Sequence, residues 1–239
     1  MVARLRAAAW TLAIAAVVAA AAWGLSALAR GPVFRIEDVT VSGSRHHSEA
    51  DVVTMARIAE GATLIDVRAS ELRKRILLDP WIREVKVRRR FPSTLAIEVS
   101  EFVPAAIVDA GGADLWVASA DGRWLGLRSA AETGVIPIRD IEAVTPVAGT
   151  RIRSESLLNA VRVAAGLSDE LRSVTRMISA PSVEKTALIT HDEIQIYIGD
   201  VEGLEEKDRV ARAILEKEKG KLVYINVRVA SSPTWRGLD

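Results

Sequence analysis

Between Arg6 and Arg30 the chain carries 23 consecutive residues without a charge, AAAWTLAIAAVVAAAAWGLSALA. Coiled into a helix at about 1.5 Å per residue, such a run spans roughly 35 Å, enough to cross a bilayer. No proline interrupts it, Gly24 and Ser26 are tolerated inside membrane helices, and Trp23 suits an interfacial position. Arg4, Arg6 and the terminal amine precede the run with no acid nearby, whereas Arg30 and Arg35 beyond it are answered by Glu37 and Asp38. That asymmetry favours an N-terminus inside and the remainder outside. A cleaved signal peptide is the rival reading, since Ala27-Leu28-Ala29 resembles a processing site. Signal-peptide cores run about 7 to 15 residues, so the length favours an uncleaved transmembrane helix over 7–29 with a cytoplasmic tail of 1–6. Either way, the rest of the chain is expected to be exported.

Charge and cysteine content remove several classes of function. Among 239 residues, Lys plus Arg number 32 and Asp plus Glu 31, so no global field attracts nucleic acid. Cysteine is absent, which excludes a disulfide framework, a thiolate nucleophile and cysteine-bound metal. His46, His47 and His191 are the only histidines, and no HExxH, P-loop, GxGxxG or nucleophile-elbow pattern occurs. His46-His47 reads as a solvated pair in a polar turn, with a metal site shared with Glu49 as the lesser alternative. No catalytic residue, metal, cofactor or small-molecule substrate is expected.

Past residue 30 the pattern divides into two modules, 30–103 and 104–229, followed by a tail over 230–239. The first opens with an alternating strand from Phe34 to Ser42, closed by Ser42-Gly43-Ser44. Ser48 and Asp51 form a capping pair for a helix striped by Val52, Val53, Ala56 and Ala59, and Gly61 ends it. A second helix places Ala69, Leu72 and Ile76 on one face and stops at Pro80. Two alternating runs follow, Val85/Val87 and Leu95/Ile97/Val99, joined by a turn at Phe91-Pro92-Ser93. The order is β-α-α-β-β, in which a small sheet needs both helices on one face to make a core.

In the second module, 105–109, 115–118 and 124–125 read as short strands, with Asp121-Gly122 as a hairpin turn. A helix capped by Ser154 comes next, then a strand pair flanking His191-Asp192, then a helix opened by Glu205 and Glu206. The last strand, 222–229, alternates Val223, Ile225, Val227 and Val229 with Leu222, Tyr224, Asn226 and Arg228. The expected fold is therefore α+β: a transmembrane helix, a small β-α-α-β-β domain, and a mostly antiparallel β domain with two helices.

Several blocks in this order resemble the FtsQ/DivIB cell-division family. They are Val39-Thr40-Val41-Ser42-Gly43, Leu64-Ile65-Asp66-Val67, Asp79-Pro80-Trp81-Ile82, Arg88 through Leu95, Glu101-Phe102-Val103-Pro104-Ala105, and Lys221 through Arg228. With the N-terminal segment, the resemblance covers nearly the whole chain. It implies a POTRA domain over 30–103, a family-type β domain over 104–229, and a non-catalytic bitopic scaffold at the division septum. The partners it implies are division proteins of the FtsB/FtsL type and other members of the division machinery, with membrane attachment through 7–29 and no nucleic acid. Two departures are visible: the N-terminal tail is only about six residues long, and Val229-Ala230-Ser231 brings no aromatic anchor after the last strand.

In that family a partner strand adds to the edge formed by the last strand, so Leu222, Val223, Tyr224, Ile225, Asn226, Val227, Arg228 and Val229 are the expected partner-binding residues. An unpaired edge offers N–H and C=O groups to an extended peptide. The competing reading makes this an interior strand with Tyr224 packed in the core. A second candidate surface is the basic run Lys86, Arg88, Arg89 and Arg90, with Arg73, Lys74 and Arg75 upstream, which suits anionic lipid or an acidic partner or is a solvated face. Trp81 after Pro80 is read as core packing at a helix-to-strand corner rather than as a docking residue. An exported POTRA-type chaperone or secretion component that binds extended segments is the alternative function.

Overall fold

A computed structural model of the chain describes residues 10, 14–21, 23–24, 34–112, 114–129, 134–218 and 222–237. It divides the chain into two compact units, Met1–Glu101 and Phe102–Asp239. One expectation fails at the outset. Among the described residues no helix is long and apolar enough to cross a membrane. The expectation of a transmembrane helix over 7–29 is corrected to that extent: the described residues show none, and the rest of that segment, with the 1–6 tail, lies outside the described residues.

The first unit follows the β-α-α-β-β order. β1 (Asp38–Ser42), α1 (Glu49–Ala56), α2 (Ala69–Ile76), β2 (Ile82–Arg90) and β3 (Thr94–Glu101) form a three-stranded sheet in the order β1-β3-β2 with both helices on one face. β1 runs parallel to β3, and β2 runs antiparallel to it. The Ser48–Asp51 capping box closes as the sequence suggests, each residue's side chain meeting the other's backbone amide. Twelve buried side chains make the core, among them Leu64, Leu72, Ile76, Leu95 and Ile97. A core this small is helped by polar clasps. The Glu101 carboxylate accepts from three consecutive amides, those of Arg45, His46 and His47, at 2.9, 2.8 and 3.3 Å, pinning the β1–α1 loop to the end of β3.

Among the described residues, nine strands and three helices build the second unit. The strands are β4 (Pro104–Asp109), β5 (Leu115–Ser119), β6 (Trp124–Leu127), β7 (Ile136–Arg139), β8 (Thr175–Ser179), β9 (Ala187–Thr190), β10 (Gln195–Tyr197), β11 (Leu222–Asn226) and β12 (Thr234–Gly237). They form one sheet in the order β12-β11-β10-β9-β8-β7-β4-β5-β6, antiparallel except at β4/β7, β7/β8 and β10/β11. The helices α3 (Glu155–Gly166), α4 (Asp169–Val174) and α5 (Leu204–Lys217) share one large core with the sheet, in which Ile138, Leu157, Val161, Leu171, Ile178, Leu188 and Ile196 are fully buried.

Sequence reading gave this unit two helices and fewer strands. It missed α4, a six-residue helix capped by Ser168 that runs into β8 without a break. It missed β7, whose Pro137 lowers strand propensity, and β12, which lies in the segment read as a tail.

Buried polar groups tie the connections down. Asn159 Nδ2 donates to Thr186 Oγ1 and the Gly199 carbonyl, and its Oδ1 accepts from Val201 N–H. Asp208 accepts from the Ser168 amide and hydroxyl and from Arg212 Nε, coupling α5 to the cap of α4. Lys207, only 4% exposed, donates to Asp200 Oδ1 and to its carbonyl.

Two predictions follow from these contacts. A Cβ added at Gly43, where φ is +86°, would stand 2.1 Å from the Val99 carbonyl oxygen, so Gly43→Ala should destabilise the first unit by about 1–3 kcal/mol in chemical denaturation. The Lys207 hydrogen bond and charge hold the Asp200 carboxyl below its ordinary value. A depressed carboxylate stabilises the fold above its unfolded pKa and loses that contribution as pH falls through the folded one. Asp200→Asn should therefore lower the melting temperature at neutral pH, and the gap from the parent should close in the acid range.

Candidate partner-binding site

β11 is not an edge. It pairs in parallel with β10 and antiparallel with β12, so the expected edge at Leu222 to Val229 is corrected to an interior strand. The strand itself ends at Asn226. Leu222, Ile225 and Val227 are buried, Tyr224 and Asn226 are half-buried, and Val223, Arg228 and Val229 are exposed. Beyond Asn226 the chain turns, with Ser232 N–H donating to the Val229 carbonyl, and returns as β12 after Pro233. The sequence signal for this return was Ser231-Ser232-Pro233 followed by Trp235, the aromatic that the strand seemed to lack.

The hydrogen-bond pattern shows which groups of β12 face outward. Val227 N–H donates to the Tyr197 carbonyl, so Ile225 and Val227 turn their backbone groups to β10, while Tyr224 and Asn226 turn theirs to β12. Opposite Tyr224 and Asn226 stand Arg236 and Thr234. Trp235, between them, therefore presents its N–H and C=O to the outside, and among the described residues no backbone group meets them. The Trp235 side chain lies on the sheet face of Ile225, 40% exposed, with Lys217 Nζ 5.8 Å from the ring centroid. Arg236 and Thr234 flank Tyr224 and Asn226 on the other face, where Tyr224 and Tyr197 meet edge to face at 6.1 Å. A polar hollow on that side is lined by Glu184, Asp200, Asn226, Arg228, Ser232 and Thr234. Its two carboxyls sit below their ordinary values, Glu184 through its own amide and Ser182, Asp200 through Lys207.

The opposite edge of the sheet is covered at the start of β6. Beside β6, Trp124 N–H donates to the Thr150 carbonyl, Gly149 N–H to the Trp124 carbonyl and Ile152 N–H to the Gly122 carbonyl. Residues 149–152 thus act as an irregular strand along β6, and the Arg123 guanidinium reinforces them by donating to the Gly149 carbonyl.

In the first unit, alternation along β2 splits the expected basic face. Lys86, Arg88 and Arg90 project from the sheet face away from the helices, where Lys86 meets Glu84 at 3.3 Å and Arg88 meets Glu98 at 3.5 Å. Arg89 turns to the helix side and donates to the Val67 carbonyl at 2.8 Å. Arg73 and Arg75 likewise serve the fold, bonding the carbonyls of Val85 and of Ala56 and Arg57. Trp81 is 7% exposed and packs as read. His46 and His47 do not form a loose pair: the His46 ring stacks on Trp81 with centroids 3.6 Å apart, and His47 Nε2 lies 3.0 Å from Asp79 Oδ1. Glu49 lies in the first turn of α1.

Comparison with known proteins agrees with this architecture. The family described as "POTRA domain, FtsQ-type" matches residues 34–102. Cell division protein FtsQ of Streptomyces collinus is 30% identical over 210 residues, covering 85% of this chain and 78% of that protein. The Myxococcus fulvus protein of the same name is 25% identical over 197 residues, covering 80% and 69%. That of Geobacter sp. (strain M21) is 34% identical over 84 residues, a match confined to 35% of this chain and 31% of the relative. Order of elements, family match and a relative aligned over most of both chains lead to one conclusion: this chain belongs to the FtsQ cell-division family.

Proposed function

We propose that this protein is a non-catalytic scaffold of the bacterial division machinery, acting at the septum, that recruits partners of the FtsB/FtsL type by adding a partner strand to β12. The open Trp235 backbone at the end of a nine-stranded sheet carries this reading. Strand addition there satisfies groups that otherwise depend on water, so main-chain bonds supply affinity and flanking side chains supply selection. Trp235 and Lys217 on one face, with Arg236 and Tyr224 on the other, would contact alternate side chains of the incoming segment. Aromatic and arginine side chains of this kind dominate interface energetics. The residues first expected to bind, Leu222 to Val229, then act mainly by supporting β12, with Val223, Arg228 and Val229 left at the surface. The stripe of Lys86, Arg88 and Arg90 is proposed as a second, weaker partner surface, because two of its three cations already have carboxylate neighbours.

Trp235→Pro deletes the outward amide without touching a bond to β11. In titrations with the FtsB-type and FtsL-type proteins of the same bacterium, it should weaken binding by at least about ten-fold, the loss of one buried main-chain hydrogen bond plus the ring. The triple change of Lys86, Arg88 and Arg90 to Ala should cost less than about three-fold at physiological salt. Unchanged affinity for Trp235→Pro, with circular dichroism showing a folded protein, would remove β12 as the site.

A further inference from the structure

The edge of β2 carries a contact with a consequence for selectivity. The Ser93 carbonyl accepts from the amides of Glu37 and Asp38, so the odd-numbered residues of β3 turn their backbone groups to β1 and the even-numbered ones to β2. Thr94, Ala96, Glu98 and Ser100 stand opposite Arg90, Arg88, Lys86 and Glu84. Val85, Val87 and Arg89 are therefore the residues of β2 whose N–H and C=O face outward. The first of these carbonyls is occupied: Arg73 Nε, from the middle of α2, donates to Val85 O at 3.0 Å.

We infer that Arg73 is a latch on the β2 edge, holding it shut against extended segments in general and releasing it to an acidic one. An incoming strand needs the Val85 carbonyl as an acceptor and must displace Arg73 from it. A neutral strand exchanges one hydrogen bond for another and returns the exposed Arg73 guanidinium to water, so it gains little. A strand bearing carboxylates offers Arg73 a charge-assisted bond in return. On the other face of the sheet the same strand meets Lys86, Arg88 and Arg90, of which Arg90 is exposed and forms no ion pair among the described residues. Asp38, Glu84 and Glu98 are the acids on that face, and Glu84 and Glu98 each already have a cation beside them. The inference rests on reading β2 as a partner surface and is independent of β12.

The test uses the full chain in a Trp235→Pro background, which keeps β12 from competing. Two synthetic peptides of equal length are titrated at low ionic strength, one alternating Glu with Val and one alternating Thr with Val. The Trp235→Pro chain should bind the Glu peptide at least about ten-fold more tightly than the Thr peptide. Adding Arg73→Ala or Arg73→Met should narrow that ratio at least about three-fold, chiefly by raising affinity for the Thr peptide. Lys74→Ala, one residue along α2, should leave the ratio as it was. Arg73→Met keeps the methylene stem, so a folding defect in the alanine variant does not end the test. Thr-peptide affinity that is unchanged or lower in both Arg73 variants overturns the latch, and the β2 surface survives if the Glu peptide still binds. Absence of Glu-peptide binding overturns both.

Discussion

An open sheet ends in two strands whose outer N–H and C=O groups have no neighbour, and much of this structure is a response to that constraint. Each such row is a template for another chain, so it must be covered, guarded or used. In the second unit the two ends are treated differently. Residues 149–152 lie along β6 and take up the backbone groups of Gly122 and Trp124. At the other end Trp235 keeps its backbone groups turned outward, and a half-exposed indole and Arg236 frame the strand. With the start of β6 covered and the Trp235 groups turned outward, β12 is the edge on which the proposed strand addition rests.

The first unit solves the same problem with charge. Its core has twelve buried side chains, of which the larger aliphatic ones each contribute roughly 1.5–3 kcal/mol against a large loss of chain entropy. Much of the arginine that looks like a binding patch in the sequence is spent on this fold. Arg75 bonds the carbonyls at the end of α1, Arg89 bonds Val67 O, and Arg73 bonds Val85 O. Glu101 does the converse, accepting three amides of the β1–α1 loop. What remains of the basic run for a partner is the set on the free face of β2, where alternation leaves Lys86, Arg88 and Arg90.

Sequence pattern was most legible where periodicity and punctuation coincide. The Ser48–Asp51 box, the apolar stripe of α2, and the alternation of β2 and β3 about Phe91-Pro92-Ser93 all appear as read. The β11 strand was legible too, but its place in the sheet was not. Whether a strand lies at an edge is a property of its neighbours, and β12 has only four residues after a proline. α4 and β8 escaped for a related reason: Ser168 signals a start, yet no glycine or proline separates the helix from the strand that follows. The uncharged run after Arg6 has the length and flanking charges of a membrane span, yet among the described residues no helix is long and apolar enough to cross a membrane. His46 looked solvated because its stacking partner Trp81 is distant in sequence and close only in the fold.

If β12 is an open edge that a partner completes, amide hydrogen exchange reads it residue by residue. In the free protein the Trp235 amide should exchange rapidly, while those of Thr234 and Arg236, bonded to β11, should be protected. In the complex with an FtsB-type partner Trp235 should become protected and its neighbours should change little. A Trp235 amide already protected in the free chain, or still unprotected in the complex, would contradict the account.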